Sequence, residues 1–382
     1  MKKTTWILGI CLAVSLPLSA QMHVAKYTFT EELNLPYTPY KMQGNTGTCW
    51  SYATSSFWES ELLREDKGTF DLAEMYVARR AYEEKSANYI LRQGSARLTE
   101  GGLAADVFHI IDTYGIVPQQ YYDQMGTQDG KWDHEALYNR IKSYADSVIQ
   151  VQQSGQKVDW RAGVKQILDH YFGPIPTSFE VKGKSYTPKS FAQSLGINAS
   201  DYVTITSFTH HPFYQPFILE VPDNWRNGEQ YNVPLDDLVE IIDYSLDQGY
   251  TVDWDINTAD IGFSNTLGLA LVPDEDISGI TMAENDAFLQ KKVFKEKTIT
   301  PEYRQAMFES YQVKDDHLVH ITGRAKDQSG QTFYIIKNSS GDGIRPTKGY
   351  LYASLPYVRL HSISILVNKK SIPQAIKDKL HL

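Results

Sequence analysis

Cysteine is scarce in this chain: there are two, and only Cys49 lies outside the first twenty residues. A single thiol cannot form an internal disulfide, which excludes the disulfide-stabilised folds of many exported domains. A lone cysteine is then either a small buried apolar side chain or a reactive group. The residues around Cys49 have to decide between these two interpretations.

Positive charge is also in short supply, because 37 Lys and Arg stand against 46 Asp and Glu, a formal net charge of -9. The first twenty residues hold Lys2 and Lys3 and no acidic residue, so their removal takes the charge from -9 to -11. An acidic body repels phosphate backbones, which argues against a nucleic-acid partner.

The chain has one prolonged apolar run, from about Trp6 to Leu18, which is shorter than the roughly 20 residues that a spanning helix needs. Two lysines precede this run and Leu18-Ser19-Ala20 ends it, which is typical of a secretory signal peptide at 1–20. Cys11 lacks the small residues before it that lipidation requires. We predict cleavage after Ala20, export to the periplasm or beyond, and no membrane contact after cleavage.

The hydrophobic pattern divides the rest into a helical lobe at 21–118, an inserted helical subdomain at 119–200 and a β-rich lobe at 201–382. Helical patterns cover 48–65, 72–86, 103–114, 133–153, 159–172, 235–248 and 301–311. Strand patterns cover 202–208, 217–221, 318–324, 332–337, 349–353 and 362–367. A helical lobe before a β lobe predicts an α+β fold with a cleft between the lobes.

The segment from Gln43 to Trp50 reads Gln-Gly-Asn-Thr-Gly-Thr-Cys-Trp, a glycine-bearing loop that runs into a helix. This order places Cys49 at the helix N-terminus, where unpaired N–H groups and the dipole favour a thiolate, the form that attacks a carbonyl. The Gln43 amide and the Cys49 backbone N–H can together donate to an oxyanion. The loop therefore favours the reactive interpretation of Cys49.

This loop resembles the active-site loop of the papain-like cysteine peptidases. Three further segments resemble motifs of that family in the same order: Glu100-Gly101-Gly102, Asp316-His317-Leu318-Val319, and Tyr334 to Ser339. The resemblance implies a papain-like two-lobed fold with a mainly helical insertion, peptide substrates and no cofactor or metal.

The resemblance also implies a role for each residue. His317 takes the thiol proton and returns it to the leaving amine, and Asn338 accepts from the other ring nitrogen and fixes the tautomer. Cys49 and His317 are then expected as a thiolate–imidazolium pair at rest. The substrate-binding residues are Trp50 and the glycine pair Gly101 and Gly102, whose exposed backbone binds an extended peptide.

Three features resemble the bleomycin hydrolase and aminopeptidase C branch: no room for a prosegment before Gln43, no disulfide, and a separation of 268 residues between Cys49 and His317. That branch forms homohexamers, and its C-terminal carboxylate lies in the cleft and captures the substrate's free amino group. The resemblance therefore implies an aminopeptidase, a hexamer, and a tail at 368–382 that reaches the cleft.

One position departs from the family, because Ser340 stands where a tryptophan usually shields the Asn–His hydrogen bond. Without that shield, competition from water weakens the bond and slows catalysis. Two alternatives to an aminopeptidase stay open. The first is an endopeptidase with an open cleft, and the second is a peptide-binding protein of this fold whose turnover is weakened or lost.

The remaining motifs predict no metal site. His320 follows His317 at a spacing that places the rings on opposite faces of a strand, so it is interpreted as structural. The segment 253–257 begins like a calcium loop, but Thr258 replaces the required glycine. His210-His211 before Pro212 is predicted to be an exposed turn.

Overall fold

The computed structural model describes residues 21–122, 127–128, 131–196, 198–341 and 347–382. The signal-peptide prediction, including Cys11, lies outside these residues. None of the described helices is both long enough and apolar enough to cross a membrane.

The helices are concentrated in the first half of the chain. Those of the described residues are α1 (Cys49–Arg64), α2 (Glu74–Leu91), α3 (Ala104–Tyr114), α4 (Glu135–Gln153), α5 (Trp160–Phe172), α6 (Pro188–Leu195), α7 (Leu235–Asp247), α8 (Asn285–Leu289), α9 (Pro301–Glu309), α10 (Leu355–His361) and α11 (Gln374–Leu380).

The strands are concentrated in the second half. They are β1 (Gln21–Val24), β2 (Tyr27–Asn34), β3 (Thr127–Gln128), β4 (Lys131–Trp132), β5 (Phe179–Val181), β6 (Lys184–Tyr186), β7 (Tyr202–Thr206), β8 (Pro216–Ile218), β9 (Glu229–Asn232), β10 (Val252–Ile256), β11 (Phe263–Ser264), β12 (Leu269–Ala270), β13 (His317–Lys326), β14 (Thr332–Lys337), β15 (Tyr350–Ser354) and β16 (Ser362–Asn368).

One large mixed sheet organises the β-rich half, in the order β11-β12-β15-β14-β13-β10-β16-β7-β9-β8, with β2 paired to β13 and β1 to β2. The pairs β3-β4 and β5-β6 form two small separate sheets. Helices gathered before a largely antiparallel sheet confirm the α+β prediction.

The helical half has one continuous core. Leu137 and Ile141 of α4 and Val164 of α5 belong to the same buried cluster as Phe57 and Trp58 of α1. The helices predicted as an inserted subdomain therefore share their core with the first three helices.

Residues 21–34 belong to the sheet, although the sequence prediction places them in the helical lobe. β1 and β2 form a hairpin, and β2 pairs with β13, with Leu33 opposite Arg324. This pairing uses the free edge positions of β13 beyond its contact with β10.

Alternation along β13 gives the sheet two buried faces. Leu318 packs with the helical core, whereas Val319 and Ile321 pack with α7 on the other side. The first face receives α1, whose Ser56 bonds to His320 of β13.

The C-terminal tail packs on the face opposite α1. Ile376 and Leu380 of α11 join the cluster that contains α7, and the Ser371 and Ser245 hydroxyls are 2.8 Å apart. Leu382 packs against the same cluster. The tail at 368–382, predicted from the resemblance to reach the cleft, is instead held across the sheet from α1.

Candidate active site

Cys49 is the first residue of α1, and its side chain is 8% exposed. The N–H groups of Leu318 and Trp50 point at its sulfur, so the thiol lies where the helix N-terminus meets the start of β13. The helix-terminal position predicted from the glycine-bearing loop is thus observed.

His317 opens β13, and Asn338 directly follows β14, the antiparallel neighbour of β13. Nε2 of His317 is 2.7 Å from Oδ1 of Asn338, and both residues are buried. An amide oxygen only accepts, so Nε2 carries the hydrogen and Nδ1 is the basic nitrogen of the neutral ring. The ring is therefore fixed in the tautomer that a base requires.

Asn338 is held by a small polar cluster where the family usually has tryptophan. Its Nδ2 donates to Oδ1 of Asn265 at 2.7 Å and to Oγ of Ser340 at 2.9 Å. Nδ2 of Asn265 donates to the same hydroxyl at 3.0 Å. Ser340 therefore orients Asn338 through hydrogen bonds in place of the aromatic shield. Asn265 lies in the loop between β11 and β12, and no motif in the sequence indicated it.

We expect Asn265→Ala to lower kcat by about tenfold with KM little changed, because it removes a partner that orients Asn338. Steady-state kinetics on a peptidyl substrate measure the effect. Ser340→Ala and the double variant complete a mutant cycle, in which coupling between the two losses is expected. A kcat equal to that of the unchanged protein in all three variants contradicts the positioning role.

Gln43 is fixed by the residue after Asn338. Its backbone N–H donates to the Ser339 carbonyl at 2.9 Å, and its Oε1 accepts from the Ser339 hydroxyl at 2.8 Å. Nε2 donates to the Thr46 carbonyl at 2.6 Å. An amide nitrogen has two hydrogens, so one remains to meet an oxyanion.

The loop before Cys49 is clamped by the start of the insertion, a contact that the sequence did not indicate. Asn45 donates its backbone N–H to the Trp132 carbonyl at 2.7 Å, and its carbonyl accepts from His134 at 3.1 Å. Gly44 has φ +71°, and a Cβ there would lie 2.4 Å from the Trp132 oxygen. Only glycine fits this approach.

The structure places Trp50 beneath the glycine pair rather than in the cleft. Its side chain is 1% exposed, its Nε1 donates to the Glu100 carbonyl at 3.0 Å, and its ring packs against Gly102. The substrate-binding role predicted for Trp50 is therefore replaced by support of Gly101 and Gly102 from below.

A loop at 222–228, called the covering loop here, lies over Gly101. A Cβ on Gly101 would be 1.9 Å from Oδ2 of Asp223. The loop is anchored to the helical lobe, because Trp225 donates to Asp106 at 2.7 Å and Arg97 donates to Oδ1 of Asp223 at 2.9 Å. The backbone of Gly101 is therefore closed off on one side.

The electrostatics of the site favour neutral groups. Burial raises the pKa of the Cys49 thiol to about 12, the Leu318 N–H lowers it, and the Asp315 and Asp255 carboxyls raise it. Burial lowers the pKa of His317, while the bond to Asn338 raises it. Both net shifts oppose the resting thiolate–imidazolium pair expected from the sequence.

His320 serves the packing beneath the site. Its Nδ1 is 2.9 Å from the Ser56 hydroxyl, which also accepts from the Lys337 ammonium at 2.8 Å. Lys337 precedes Asn338 and reaches Thr38 as well, at 3.0 Å. These bonds tie the end of β14 to α1, which agrees with the structural interpretation of His320.

One group within the described ranges has metal-ligand geometry. His210, His211 and Glu220 offer ligand atoms that all lie within 4.8 Å of one another. Nε2 of each histidine already bonds to Glu220, at 3.1 and 2.8 Å. The histidines lie in a turn on the surface, as predicted, and the carboxylate accounts for their arrangement without an ion.

The comparisons with known proteins concern the family and the fold of the chain. A sequence model of the Peptidase C1-like family matches residues 80–382, a range that includes His317 and Asn338 and begins after Cys49. Cysteine proteinase 1 of Entamoeba histolytica is 26% identical over 157 residues, which are 40% of this chain and 45% of that protein. The chain thus spans less than half the length of this curated relative.

Among solved structures, PepW from Lactobacillus rhamnosis HN001 matches with a TM-score of 0.70 and 19% identity, over 92% of this chain and 84% of PepW. Procathepsin L 3 of the Tenebrio molitor larval midgut matches with a TM-score of 0.38 and 15% identity, over 92% and 72% of the two chains. The likeness to PepW confirms the fold predicted from the sequence.

Proposed function

Since the chain belongs to the Peptidase C1-like family, we propose that it hydrolyses peptide bonds with Cys49 as nucleophile, His317 as base and Asn338 as the orienting residue. The observation that carries the proposal is the 2.7 Å bond from His317 to Asn338, which leaves Nδ1 basic on the residue just before Leu318, whose N–H points at the Cys49 sulfur.

In the proposed reaction, Nδ1 of His317 takes the Cys49 proton as the sulfur attacks the peptide carbonyl. The Cys49 N–H and the remaining Nε2 hydrogen of Gln43 hold the oxyanion. The protonated ring then gives its proton to the leaving amine, and a thioester remains. Water activated by the same ring hydrolyses the thioester and restores the thiol.

We further propose that cleavage occurs close to the substrate's N-terminus. The covering loop supports this proposal, because Asp223 lies where an extended peptide would run past Gly101. The tail cannot supply the amine-binding carboxylate from its position beside α7. In this proposal the covering loop, and not the tail, restricts cleavage to the N-terminal end of the substrate, because the loop excludes longer chains.

Fluorogenic substrates with free and acetylated amino groups test this specificity. We expect the free-amine form to be hydrolysed at least about tenfold faster, because an acetyl group extends the chain into the covering loop. Equal rates, or faster cleavage of blocked peptides, favour the endopeptidase alternative. Cys49→Ala is the control that excludes a contaminating peptidase.

A peptide-binding protein without turnover is the second candidate. The observation that favours it is the raised pKa of Cys49, about 12, since a thiol attacks carbonyls poorly. Reactivity of Cys49 toward alkylating reagents separates the two candidates, and the expected result is argued below.

A further inference from the structure

Asp255 lies beside Cys49 on the central strand β10. It stands opposite Leu318, whose N–H points at the Cys49 sulfur. Asp255 is 3% exposed, its Oδ2 is 3.4 Å from the Ser364 hydroxyl, and its Oδ1 faces no donor among the described residues other than the neighbouring Asp315 carboxyl. A buried carboxyl oxygen without a donor is costly, so its position calls for a ligand.

Asp315 presents a second such oxygen to the same place. Its carboxyl lies against that of Asp255, and its Oδ2 has no donor among the described residues. The adjacent Asp316 provides the contrast, because it accepts from the Thr258 N–H at 2.7 Å, the Thr258 hydroxyl at 2.9 Å and the Ala259 N–H at 3.1 Å. Asp316 is satisfied by these donors, whereas Asp315 receives the Asp223 N–H and keeps one oxygen, Oδ2, that faces no N–H or hydroxyl donor among the described residues.

Asp223 of the covering loop completes the group. Its carboxylate lies over Gly101, and its backbone N–H points toward Asp315. Arg97 bonds to Oδ1 of Asp223 at 2.9 Å, and the neighbouring Lys85 ammonium is engaged by the Thr99 carbonyl at 2.9 Å. Three carboxyl groups therefore converge between Gly101 and Cys49. Among the described residues, Arg97 is the cation that bonds directly to one of them.

We propose that Asp223, Asp255 and Asp315 form a subsite that binds a cationic primary ammonium group of the substrate. The inference rests on the proposed function and specifies its substrate class. An ammonium group has three hydrogens to donate, which matches the two unpaired oxygens and the shared Asp223 carboxylate. The group comes either from the substrate's N-terminus or from a lysine side chain beside the scissile residue.

Burial raises the pKa of Asp255 well above its ordinary range and that of Asp315 to about 7, and the two carboxyl groups lie against each other. The empty pair therefore shares a proton at neutral pH. A bound ammonium group takes the place of that proton between the two carboxylates.

The test compares Asp255→Asn and Asp315→Asn with the unchanged protein. Asparagine keeps the size of aspartate, and the matched control is Asp236→Asn, an 85% exposed carboxylate on α7. Four fluorogenic substrates are used: leucyl, acetyl-leucyl, acetyl-lysyl-leucyl and acetyl-norleucyl-leucyl. We expect the KM of the cationic substrates to rise about tenfold in the two variants, and the KM of the neutral blocked dipeptide to stay unchanged.

The leucyl and acetyl-lysyl-leucyl arms identify the source of the cation, because only the first has a free amino terminus and only the second has a basic side chain. A loss confined to the leucyl substrate assigns the subsite to the N-terminus. A loss confined to the lysyl substrate assigns it to a side chain. An unchanged KM for both cationic substrates in both variants overturns the proposal.

A binding measurement separates this inference from the proposed function. In the Cys49→Ala protein, leucinamide is expected to raise Tm and N-acetylleucinamide is not, and adding Asp255→Asn is expected to remove the shift. The same shift with both amides overturns the subsite even if hydrolysis is observed. Stabilisation by leucinamide alone, without hydrolysis by the unchanged protein, supports the subsite and contradicts the peptidase.

Discussion

Replacing Cys49 by alanine is expected to lower the hydrolysis of peptidyl fluorogenic substrates by about 10³-fold or more, because the proposed thioester forms on its sulfur and no other described residue is a cysteine. The side chain is small and lies at the first turn of α1, so the fold is expected to remain, with a thermal transition close to that of the unchanged protein. Turnover and Tm of the purified variant measure the two effects.

Alkylation gives an independent result for the same residue. Cys49 is the one cysteine in residues 21–382, so iodoacetamide is expected to add a single label and to abolish turnover in proportion to labelling. Cys49→Ser is the matched control, because its hydroxyl is close in size to the thiol but does not take the label. Normal turnover by the alanine variant contradicts the mechanism. Labelling no faster than free cysteine, together with absent turnover, favours the peptide-binding protein.

The parts of the fold that were predictable are those with a strong local pattern. The predicted strand at 332–337 coincides with β14, and α3 and α5 begin within one residue of the predicted helices. By contrast, the sequence pattern does not predict β10, because two of its five residues are aspartates and make a buried strand look polar. Its aspartates lie on the face toward α1 and the candidate site, where the apolar pattern of a central strand is interrupted.

Predicting the site depended on how local each contact is. The helix-terminal position of Cys49 follows from the loop sequence itself, and the pairing of His317 with Asn338 follows from two adjacent antiparallel strands. The contacts of Asn265 and of the covering loop join segments more than 70 residues apart, and no periodicity reports such contacts. The ionisation of Cys49 depends on burial and on Asp255, which are properties of the folded chain.

His317→Ala is expected to lower kcat/KM by about 10² to 10⁴-fold, because it removes the ring that takes the Cys49 proton in the proposed mechanism. His317→Gln retains a donor to Asn338 and serves as the control for packing. If both variants unfold at the temperature of the unchanged protein, the loss reports the missing base. Activity within threefold of the unchanged protein, in either variant, contradicts the role.

The pH profile of the unchanged protein tests the charge state of the pair. His317 is a base only when neutral, and burial lowers its pKa, so kcat/KM rises with pH through a value below 6.5. Because the pKa of Cys49 is raised to about 12, the thiol stays protonated through neutral pH, and no loss of imidazolium follows at higher pH. We therefore expect a plateau that extends from neutral to alkaline pH. A bell-shaped profile with a falling limb near pH ~8.5 would instead show that activity depends on a protonated His317. That result would contradict the neutral pair and support a thiolate–imidazolium pair at rest.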